Sequence, residues 1–424
     1  MTEYRKIIEF IRSLYPDKDV IPLHEPYFAG NEKKYLQDCI NSTYVSSVGK
    51  YVNRFEEMIC EFTGAKYAVA TVNGTAALHI ALLLAGVKRG DLVITQPLTF
   101  IATCNAISYC GADPVFVDVD EQTLGMSPDS LEKWLSANKI IKEVDGLKAC
   151  FYDPEKNKDE VHRYTQINTD KKRFEKNNNS FSNDLCSSVS IRGERRITAC
   201  LPVHTFGHPC KIDKIVEICN RYHIPVVEDA AESIGSYYKE QHTGTFGLSG
   251  ILSFNGNKTI TTGGGGIIIT NNKALATKAK HLTTQAKKPH PWKFEHDRIG
   301  YNYRLPNINA ALGCAQMEIL PEILENKREL AERYRIYFAD LDKVKYVNEP
   351  ENCRSNFWLN AVILENEKER DDFLKQSNEN RVMTRPAWTL MHRLEMFKDS
   401  ISADITAAEE TESSLVNIPS SVRY

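Results

Sequence analysis

The sequence predicts an α/β protein in which helices cover a mostly parallel β-sheet. Two observations support this prediction. Short runs rich in β-branched residues alternate with helical segments along residues 65–270, and many of the runs end in turns that contain Gly, Asn or Asp. Regular alternation of strand and helix favours a single sheet with crossover helices.

The elements follow one another in a regular order. Residues 50–64 have apolar residues at helical spacing and end at Gly64, and a buried strand, "YAVATV", is followed by the helix "AALHIALLLAGV". The strand "LVITQPL", the helix "FIATCNAISYCG" and the strand "DPVFVDVD" come next. Further on, the same pattern predicts strands and a helix in "ITACLPV", "KIDKIVEICNRYH", "IPVVEDAAE", "GILSFNGNK" and "GGIIIT".

The rest of the chain divides into a polar insertion and a smaller C-terminal domain. From about residue 150 to 196 the sequence is polar, rich in Asn and Lys and without a period, so we expect an insertion there. Residues 320–341 form an amphipathic helix, and strand-like pieces such as "NFWLNAVIL" and another helix follow. We therefore predict a large domain over residues 1–320, including the N-terminal segment, and a small α+β domain over residues 321–424.

Composition and charge indicate which classes of binding partner the sequence favours. Of the 424 residues 42% are hydrophobic and 26% charged, and a formal net charge of -3 predicts no basic surface for nucleic acid or an anionic membrane. The 11 cysteines are scattered and never spaced Cys-x-x-Cys, which favours reduced thiols over disulfides or structural zinc. No secretory signal or bilayer-spanning run is visible. We expect a cytoplasmic protein without a metal, whose partners are small molecules and other copies of itself.

Two strand ends carry candidate site residues, because ligands in open α/β sheets bind beyond the carboxyl ends of the strands. Gly74 and Thr75 open a helix whose free backbone N–H groups and dipole suit a phosphate. An N-cap without a ligand is the alternative interpretation. Glu228 and Asp229 close an apolar strand, where they either bring a carboxylate to the same edge or cap the next helix.

A third candidate is Lys258, which lies between a short apolar run and four glycines in "SFNGNKTITTGGGG". A buried amine is costly to keep charged, so such a lysine is either held by a partner or used in chemistry. Ser253 lies close enough in sequence to share a phosphate site, and the glycines allow backbone to approach a planar ligand. For this stretch alone, a glycine-rich hairpin with an exposed lysine is the alternative.

Together these groups fit one ligand. A helix N-terminus, a carboxylate and a lysine match the phosphate, the ring nitrogen and the aldehyde of pyridoxal 5′-phosphate. A lysine amine forms a Schiff base with the aldehyde, and the carboxylate keeps the ring nitrogen protonated so that the ring accepts carbanion charge. This combination predicts that Lys258 and Asp229 are catalytic.

The motifs that carry these residues resemble the DegT/DnrJ/EryC1/StrS family of sugar aminotransferases, which have the pyridoxal-phosphate-dependent transferase fold of type I. The resemblance rests on "NGTAALH", "QPLTF", "EDAAES", "SFNGNK" and "GGGG" in this order, and it covers nearly the whole chain. It implies a mixed, mostly parallel seven-stranded sheet sandwiched by helices, with a smaller α+β C-terminal domain. Some family members carry His at the lysine position and act as 3-dehydratases, so Lys258 favours transamination.

More narrowly, "FIRSLYPDKDVIPLHEPYF", "YVSSVGKYV" and "TQPLTFIATCNAI" resemble the LegC/PglE-like branch. This implies transfer of an amino group from L-glutamate to C4 of a UDP-linked 4-keto-6-deoxy-N-acetylhexosamine, towards bacillosamine or legionaminic acid. One alternative is amination at a different carbon or of a GDP-linked sugar, as in perosamine synthesis. A nucleotide-binding oxidoreductase is another alternative, but it would need Gly-x-Gly-x-x-Gly spacing, which "GGGG" lacks. A non-catalytic ligand-binding regulator is a third, and the sequence shows no DNA-binding segment that would support it.

The family pattern, carried over by position, also implies a role for each residue around the cofactor. Lys258 would form the Schiff base and Asp229 would bond the pyridine nitrogen. The phosphate would be held by Gly74, Thr75, Ala76 and Ser253. Phe100 would stack on the ring face, although as a bare sequence feature it reads as core.

The pattern leaves four further positions with a less direct role. Glu232 lies where many relatives have Gln or His near the ring hydroxyl, and a carboxylate beside a phenolate would have to be protonated or turned away. Asn302, in "GYNYRL", would reach the phosphate of a neighbouring subunit, which implies a homodimer with composite sites; a turn asparagine is the alternative. His204 and His208 follow a strand end and are candidates for contacts with the sugar.

Overall fold

The computed structural model describes residues 3–144, 146–152 and 194–423. The polar insertion predicted at about residues 150–196 lies almost entirely outside the described residues. In chain order the helices are α1 (Glu3–Ser13), α2 (Glu32–Ser42), α3 (Lys50–Thr63), α4 (Gly74–Leu84), α5 (Ile101–Tyr109), α6 (Pro128–Asn138), α7 (Ile212–Arg221), α8 (Lys273–Thr283), α9 (Asn307–Phe338), α10 (Glu367–Glu379) and α11 (Thr406–Ser414).

The strands are short, and most are buried along their length. They are β1 (Tyr67–Thr71), β2 (Leu92–Thr95), β3 (Asp113–Phe116), β4 (Lys139–Val144), β5 (Leu147–Tyr152), β6 (Arg195–Cys200), β7 (Val227–Asp229), β8 (Tyr237–Tyr238), β9 (Gln241–His242), β10 (Ser249–Ser253), β11 (Gly266–Thr270), β12 (Val344–Tyr346), β13 (Cys353–Arg354), β14 (Asn360–Leu364), β15 (Arg385–Pro386), β16 (Ile401–Ser402) and β17 (Leu415–Ile418).

In the described residues, seven strands form the main sheet in the order β3-β2-β6-β7-β10-β11-β1. Strand β6 meets β7 through parallel bridges at Cys200–Val226 and Val203–Asp229. All neighbours along the sheet are parallel except β11, which runs antiparallel to both β10 and β1. Strand β16 adds to the edge beyond β3, and the hairpin of β4 and β5 pairs with the start of β6. The predicted mixed, seven-stranded sheet is confirmed.

Helices cover both faces of this sheet because its central strands are apolar on both sides. On β11, Ile267 and Ile269 pack with α3 and α9, whereas Ile268 packs on the opposite face with α4, α5 and α8. This alternation is what a strand between two helical layers requires. Since β1, β2, β6, β7 and β10 all run the same way, their carboxyl ends lie along one edge, where the start of β11 joins them.

A second, antiparallel sheet follows in the order β12-β14-β17-β15. Helix α1 packs there and not on the main sheet, since Ile7 and Ile11 share a core with Tyr334 and Phe373. The N-terminal helix was predicted to be part of the large domain, and its apolar stripe alone does not indicate which sheet it covers. Within the described ranges, no helix combines the length and the apolar character needed to cross a membrane.

Helix α9 is longer than predicted and joins the two sheets. It begins at Asn307 and not near residue 320, and it continues through Pro321. Proline is disfavoured inside helices, so the sequence carries no signal that the helix runs across this position. Residue 320, the predicted domain boundary, therefore lies within a continuous helix, and the division into two domains stays a prediction.

Candidate active site

Lys258 lies in the turn after β10, at the edge of the main sheet where the carboxyl ends meet. Its side chain is only 12% exposed, and its Nζ donates a hydrogen bond of 3.4 Å to Glu232 Oε1. The same nitrogen lies 3.9 Å from the ring centroid of Trp358, a cation–π contact. The structure thus excludes the interpretation of an exposed lysine on a hairpin.

The start of α4 lies directly against the end of β10. A Cβ atom on Gly74 would come within 2.9 Å of Ser253 Cβ, so only glycine allows the two to approach this closely. Asn73 caps the helix and accepts the Ala76 N–H at 2.7 Å. The N–H groups of Gly74 and Thr75 have no intrahelical acceptor at a helix start, so they and the Ser253 hydroxyl are the donors available for a phosphate.

Asp229 ends β7 and is buried next to this edge. Its Oδ2 accepts a hydrogen bond from Thr103 Oγ1 at 2.8 Å, and its Oδ1 accepts the Ala231 N–H at 3.2 Å. Burial raises the pKa of the Asp229 carboxyl, while these hydrogen bonds and the charge of Lys258 act in the opposite direction. A buried carboxylate of this kind is stabilised by a cationic N–H, which a protonated pyridine ring supplies.

Glu232 is also buried, and the protein holds both of its oxygens. Its Oε2 accepts the Phe206 N–H at 2.8 Å, and Oε1 faces Lys258. Burial is the main influence on the Glu232 carboxyl and raises its pKa; the charge of Lys258 and the Phe206 N–H oppose it. The carboxyl is therefore directed at the lysine amine, and its place beside the cofactor ring stays a prediction.

Aromatic side chains flank the site. Phe100, the residue immediately before α5, is 52% exposed, with its ring 6.2 Å from that of Trp388, so its interpretation as a core residue is wrong. Trp358 was not predicted at all. Its indole N–H donates to the Asn257 carbonyl at 2.7 Å, which orients the ring against Lys258. Trp358 precedes β14, far from the other site residues in sequence, so no local motif could have indicated this contact.

His204 and Glu228 lie next to the site, but their polar atoms are engaged in hydrogen bonds within the protein. The His204 Nδ1 accepts the Cys210 N–H at 3.2 Å, which leaves Nε2 to bond Glu228 Oε2 at 3.1 Å. Glu228 also accepts three backbone N–H groups, from Gly244, Phe246 and Gly247. His204 has no exposed surface, so in this structure neither residue offers a polar group to a sugar.

His208 is likewise fully buried. Its ring packs edge-on against Phe357, with centroids 5.4 Å apart, and neither ring nitrogen has a hydrogen-bond partner among the described residues. Burial lowers the pKa of His208 to about 4. The structure therefore shows this imidazole as a neutral core group, and the predicted contact with a sugar has no exposed atom to make it.

Replacing His208 by leucine is expected to make folding less sensitive to acid. The folded state resists protonation down to about pH 4, whereas the unfolded chain takes up the proton near its ordinary pKa of about 6.5. Above about pH 6.5 the neutral His208 leaves the free energy of unfolding unchanged. As the pH falls from there towards 4, the free energy of unfolding decreases by about 1.4 kcal/mol per pH unit. Thermal unfolding midpoints at pH 7 and pH 5 should differ less in His208→Leu than in the wild type. Equal differences would contradict this, and His223→Asn, at an exposed histidine, is the control.

Asn302 lies at the surface of the chain, not among the groups described above. It forms a backbone bridge with Thr284, and the next residue, Tyr303, accepts the Val72 N–H at 2.9 Å. The segment therefore runs beside the end of β1, with the Asn302 side chain exposed. Its contribution to the site of a second subunit stays a prediction.

The residues at this edge fit pyridoxal 5′-phosphate. A helix start pressed against a serine, a buried carboxylate and a shielded amine occupy neighbouring strand ends, as the three polar parts of that cofactor require. Six of the predicted cofactor residues, Gly74, Thr75, Asp229, Glu232, Ser253 and Lys258, are brought together here. The backbone N–H of Ala76, another predicted phosphate contact, is engaged by Asn73.

The chain is similar in sequence to known aminotransferases. The sequence model of the DegT/DnrJ/EryC1/StrS aminotransferase family matches residues 26–144 and 188–424. EpsN of Bacillus subtilis (strain 168), named for pyridoxal phosphate-dependent aminotransferase activity, is 36% identical over 381 residues, 90% of this chain and 84% of EpsN. The GDP-perosamine synthase of Escherichia coli O157:H7 is 33% identical over 400 residues, 94% of this chain and 93% of that enzyme.

A solved structure supports the fold independently. The aminotransferase TlmJ from Streptoalloteichus hindustanus superposes with a TM-score of 0.76 at 22% identity, over 94% of this chain and 93% of TlmJ. The LegC/PglE-like branch within the family stays a prediction. The chain belongs to the DegT/DnrJ/EryC1/StrS aminotransferase family, and it is a pyridoxal 5′-phosphate-dependent nucleotide-sugar aminotransferase.

Proposed function

We propose that this enzyme transfers the amino group of L-glutamate to C4 of UDP-2-acetamido-2,6-dideoxy-4-hexulose, a nucleotide-linked 4-keto-6-deoxy sugar. One observation supports this type of reaction: the Lys258 amine is shielded by Trp358 and lies beside two buried carboxyl groups. The choice of sugar and donor rests on the motifs that resemble the LegC/PglE-like branch. These motifs lie in the N-terminal segment and around β2.

In this proposal different side chains of the enzyme transfer the proton and stabilise the charge. When bound, the cofactor supplies an electron-withdrawing ring that stabilises negative charge on a substrate carbon. Lys258 Nζ takes a proton from the α-carbon of the amino donor and, in the second half of the cycle, returns one at C4 of the sugar. Asp229 Oδ1 or Oδ2 holds the proton on the ring nitrogen.

The remaining residues bind and orient. Gly74, Thr75 and Ser253 donate to the phosphate, and Phe100 covers one ring face. Trp358 excludes water from the lysine amine, which favours proton transfer to carbon over exchange with solvent. Glu232, whose buried carboxyl is directed at Lys258 Nζ, would lie near the ring hydroxyl of the bound cofactor.

A GDP-linked 4-keto-6-deoxymannose is the second candidate substrate. It is favoured by the 33% identity with a GDP-perosamine synthase over almost the full length of both chains. Incubating the holoenzyme with L-glutamate and each keto-sugar in turn, and locating the new amine by NMR, separates the two. We expect an amine on C4 of the UDP-sugar. Conversion of the GDP-sugar alone would overturn the proposed substrate.

We also propose that two copies of the chain form a dimer with shared sites. The segment that leads to Asn302 exposes Trp292, Phe294 and Ile299 at 76%, 80% and 84%, unusually high values for large apolar side chains. Tyr44 and Val48 are exposed on the neighbouring segment, whose Ser46 carbonyl accepts the Asn307 N–H. A second copy that covers this surface would place Asn302 at the partner site.

Introducing negatively charged side chains on this apolar surface is expected to separate the subunits. The double variant Trp292→Glu/Phe294→Glu should sediment as a chain of 48.1 kDa, whereas the wild type should sediment at twice that mass. Buried carboxylates in an apolar interface are costly unless paired. Met396→Glu, at an exposed apolar residue in the segment that packs against α5 and β3, is the control and should stay dimeric. A monomeric wild type would contradict the proposal.

A further inference from the structure

Two buried threonines lie behind the carboxylate that ends β7. Thr103 Oγ1 donates a hydrogen bond to Asp229 Oδ2 at 2.8 Å, and Thr99 Oγ1 lies 2.7 Å from Thr103 Oγ1. Both threonine side chains are almost completely shielded from solvent. The three side chains therefore form a short series of hydrogen bonds that starts inside the protein and ends at the carboxylate of the site.

The direction of these hydrogen bonds follows from the number of hydrogens available. A carboxylate only accepts, and a hydroxyl group has a single hydrogen to donate. Thr103 uses its hydrogen on Asp229, so it can only accept from Thr99. The other acceptor within reach of Thr99 is the Phe100 carbonyl, which is farther away at 3.4 Å. Both hydroxyl groups thus direct a hydrogen towards Asp229, and the first bond strengthens the second.

Thr103 differs from an ordinary threonine in a helix. The hydroxyl of a helical threonine commonly donates to a carbonyl three or four residues earlier. Thr63, at the end of α3, does this with the Ile59 carbonyl at 2.7 Å. Thr103, in the first turn of α5, instead donates to a side chain 126 positions away in sequence. Its hydroxyl therefore serves the carboxylate and not the helix.

The Thr103 hydrogen bond also favours the charged form of the carboxyl. Burial raises the pKa of Asp229, and among the influences that lower it the Thr103 hydrogen bond is the strongest. The titratable side chains that interact with this carboxyl through charge are Lys258, His204, Glu232 and Cys104. The charge of Lys258 changes whenever its amine takes up or releases a proton, whereas the Thr103 hydrogen bond does not depend on that charge.

We propose that Thr103, supported by Thr99, is a positioning residue for transamination, whose hydroxyl keeps the Asp229 carboxyl ionised and fixed in orientation. Without this hydroxyl, the proton that Asp229 holds on the ring nitrogen would shift to the carboxyl and leave a neutral pair. The ring would then accept negative charge less readily. This inference rests on the proposed role of Asp229, and it does not depend on which sugar or amino donor the enzyme uses.

The position of this proton can be measured in the holoenzyme without any substrate. With ¹⁵N-labelled pyridoxal 5′-phosphate, the NMR signal of the ring nitrogen distinguishes a protonated ring from an unprotonated one. Thr103→Val has nearly the same shape but no hydroxyl, and its signal should move towards the unprotonated position. Thr103→Ser keeps the hydroxyl and should restore the wild-type signal. Thr99→Val removes only the second hydroxyl and should move the signal less.

Turnover gives a second measurement. The limiting rate of Thr103→Val is expected to fall about tenfold or more, because a hydrogen bond to a charged group contributes at least about that factor. The half-saturating substrate concentrations should stay close to those of the wild type, since the buried Thr103 does not reach substrate. Thr63→Val is the matched control. It removes a buried hydroxyl that donates within its own helix, and it should change neither the signal nor the rate.

Two results would overturn this inference alone. One is a ring-nitrogen signal that moves in Asp229→Asn but not in Thr103→Val. The other is a Thr103→Ser variant as impaired as Thr103→Val, which would assign the effect to packing and not to the hydroxyl. If Thr103→Val fails to fold, Thr103→Ala and Thr99→Val decide in the same way. A signal that stays in place in Asp229→Asn would overturn the proposed role of Asp229 and this inference with it.

Discussion

Lys258→Ala is expected to abolish transamination, with a loss of about 10⁴-fold or more in turnover. The variant lacks the only amine that the described residues bring to the buried edge beside Asp229 and Glu232. The substrate proton then has no acceptor shielded from water. Turnover with L-glutamate and the preferred keto-sugar measures the loss, and the visible absorbance before and after borohydride reports the link between lysine and cofactor.

Two further variants make this test specific. Lys258→Arg keeps a cation beside Glu232 but cannot act as a base, since a guanidinium does not lose its proton in proteins, and it should be as inactive as the alanine variant. Lys239→Ala removes an exposed lysine that pairs with Asp213 and should be fully active. A wild type without a borohydride-sensitive band, or an active Lys258→Ala, would contradict the assignment.

Asp229→Asn is expected to retain the cofactor but to lose most of the turnover, roughly 10²–10³-fold. The amide has the size of the carboxylate, so the cradle of Gly74, Thr75 and Ser253 stays intact. It cannot hold a proton on the ring nitrogen by charge. It also has only one oxygen to accept the two hydrogen bonds that Thr103 and Ala231 donate.

Cofactor affinity and turnover must be measured separately to test Asp229. The expected pattern is cofactor occupancy close to that of the wild type with a much smaller rate in both half-reactions. Asp213→Asn, at a partly exposed carboxylate on α7, is the matched control. Full activity in Asp229→Asn would exclude this residue from the mechanism.

The sheet and the cofactor groups were predictable because both depend on local pattern. Apolar runs of five or six residues indicate buried strands, and parallel strands necessarily bring their carboxyl ends to one edge. That rule alone predicts that Gly74, Asp229 and Lys258 meet, although they are up to 184 positions apart in sequence. The structure places all three there.

Contacts supplied by the C-terminal sheet were not predictable in this way. Trp358 contacts Lys258 only because the segment before β14 packs against the turn after β10, and no periodicity encodes that packing. His204 and His208 show the opposite limitation. A histidine after a strand end has the same local sequence whether its ring faces a ligand or, as here, Glu228 or Phe357.

The packing of α1 against the C-terminal sheet has a consequence for engineering. A chimaera that exchanges the C-terminal half between two relatives at a single crossover would leave Ile7 and Ile11 facing a foreign core. It would also separate residues 23–25 from the tail that anchors them. Functional hybrids should therefore need two junctions, so that the first 25 or so residues travel with the chain from Leu330 onwards, which includes Tyr334.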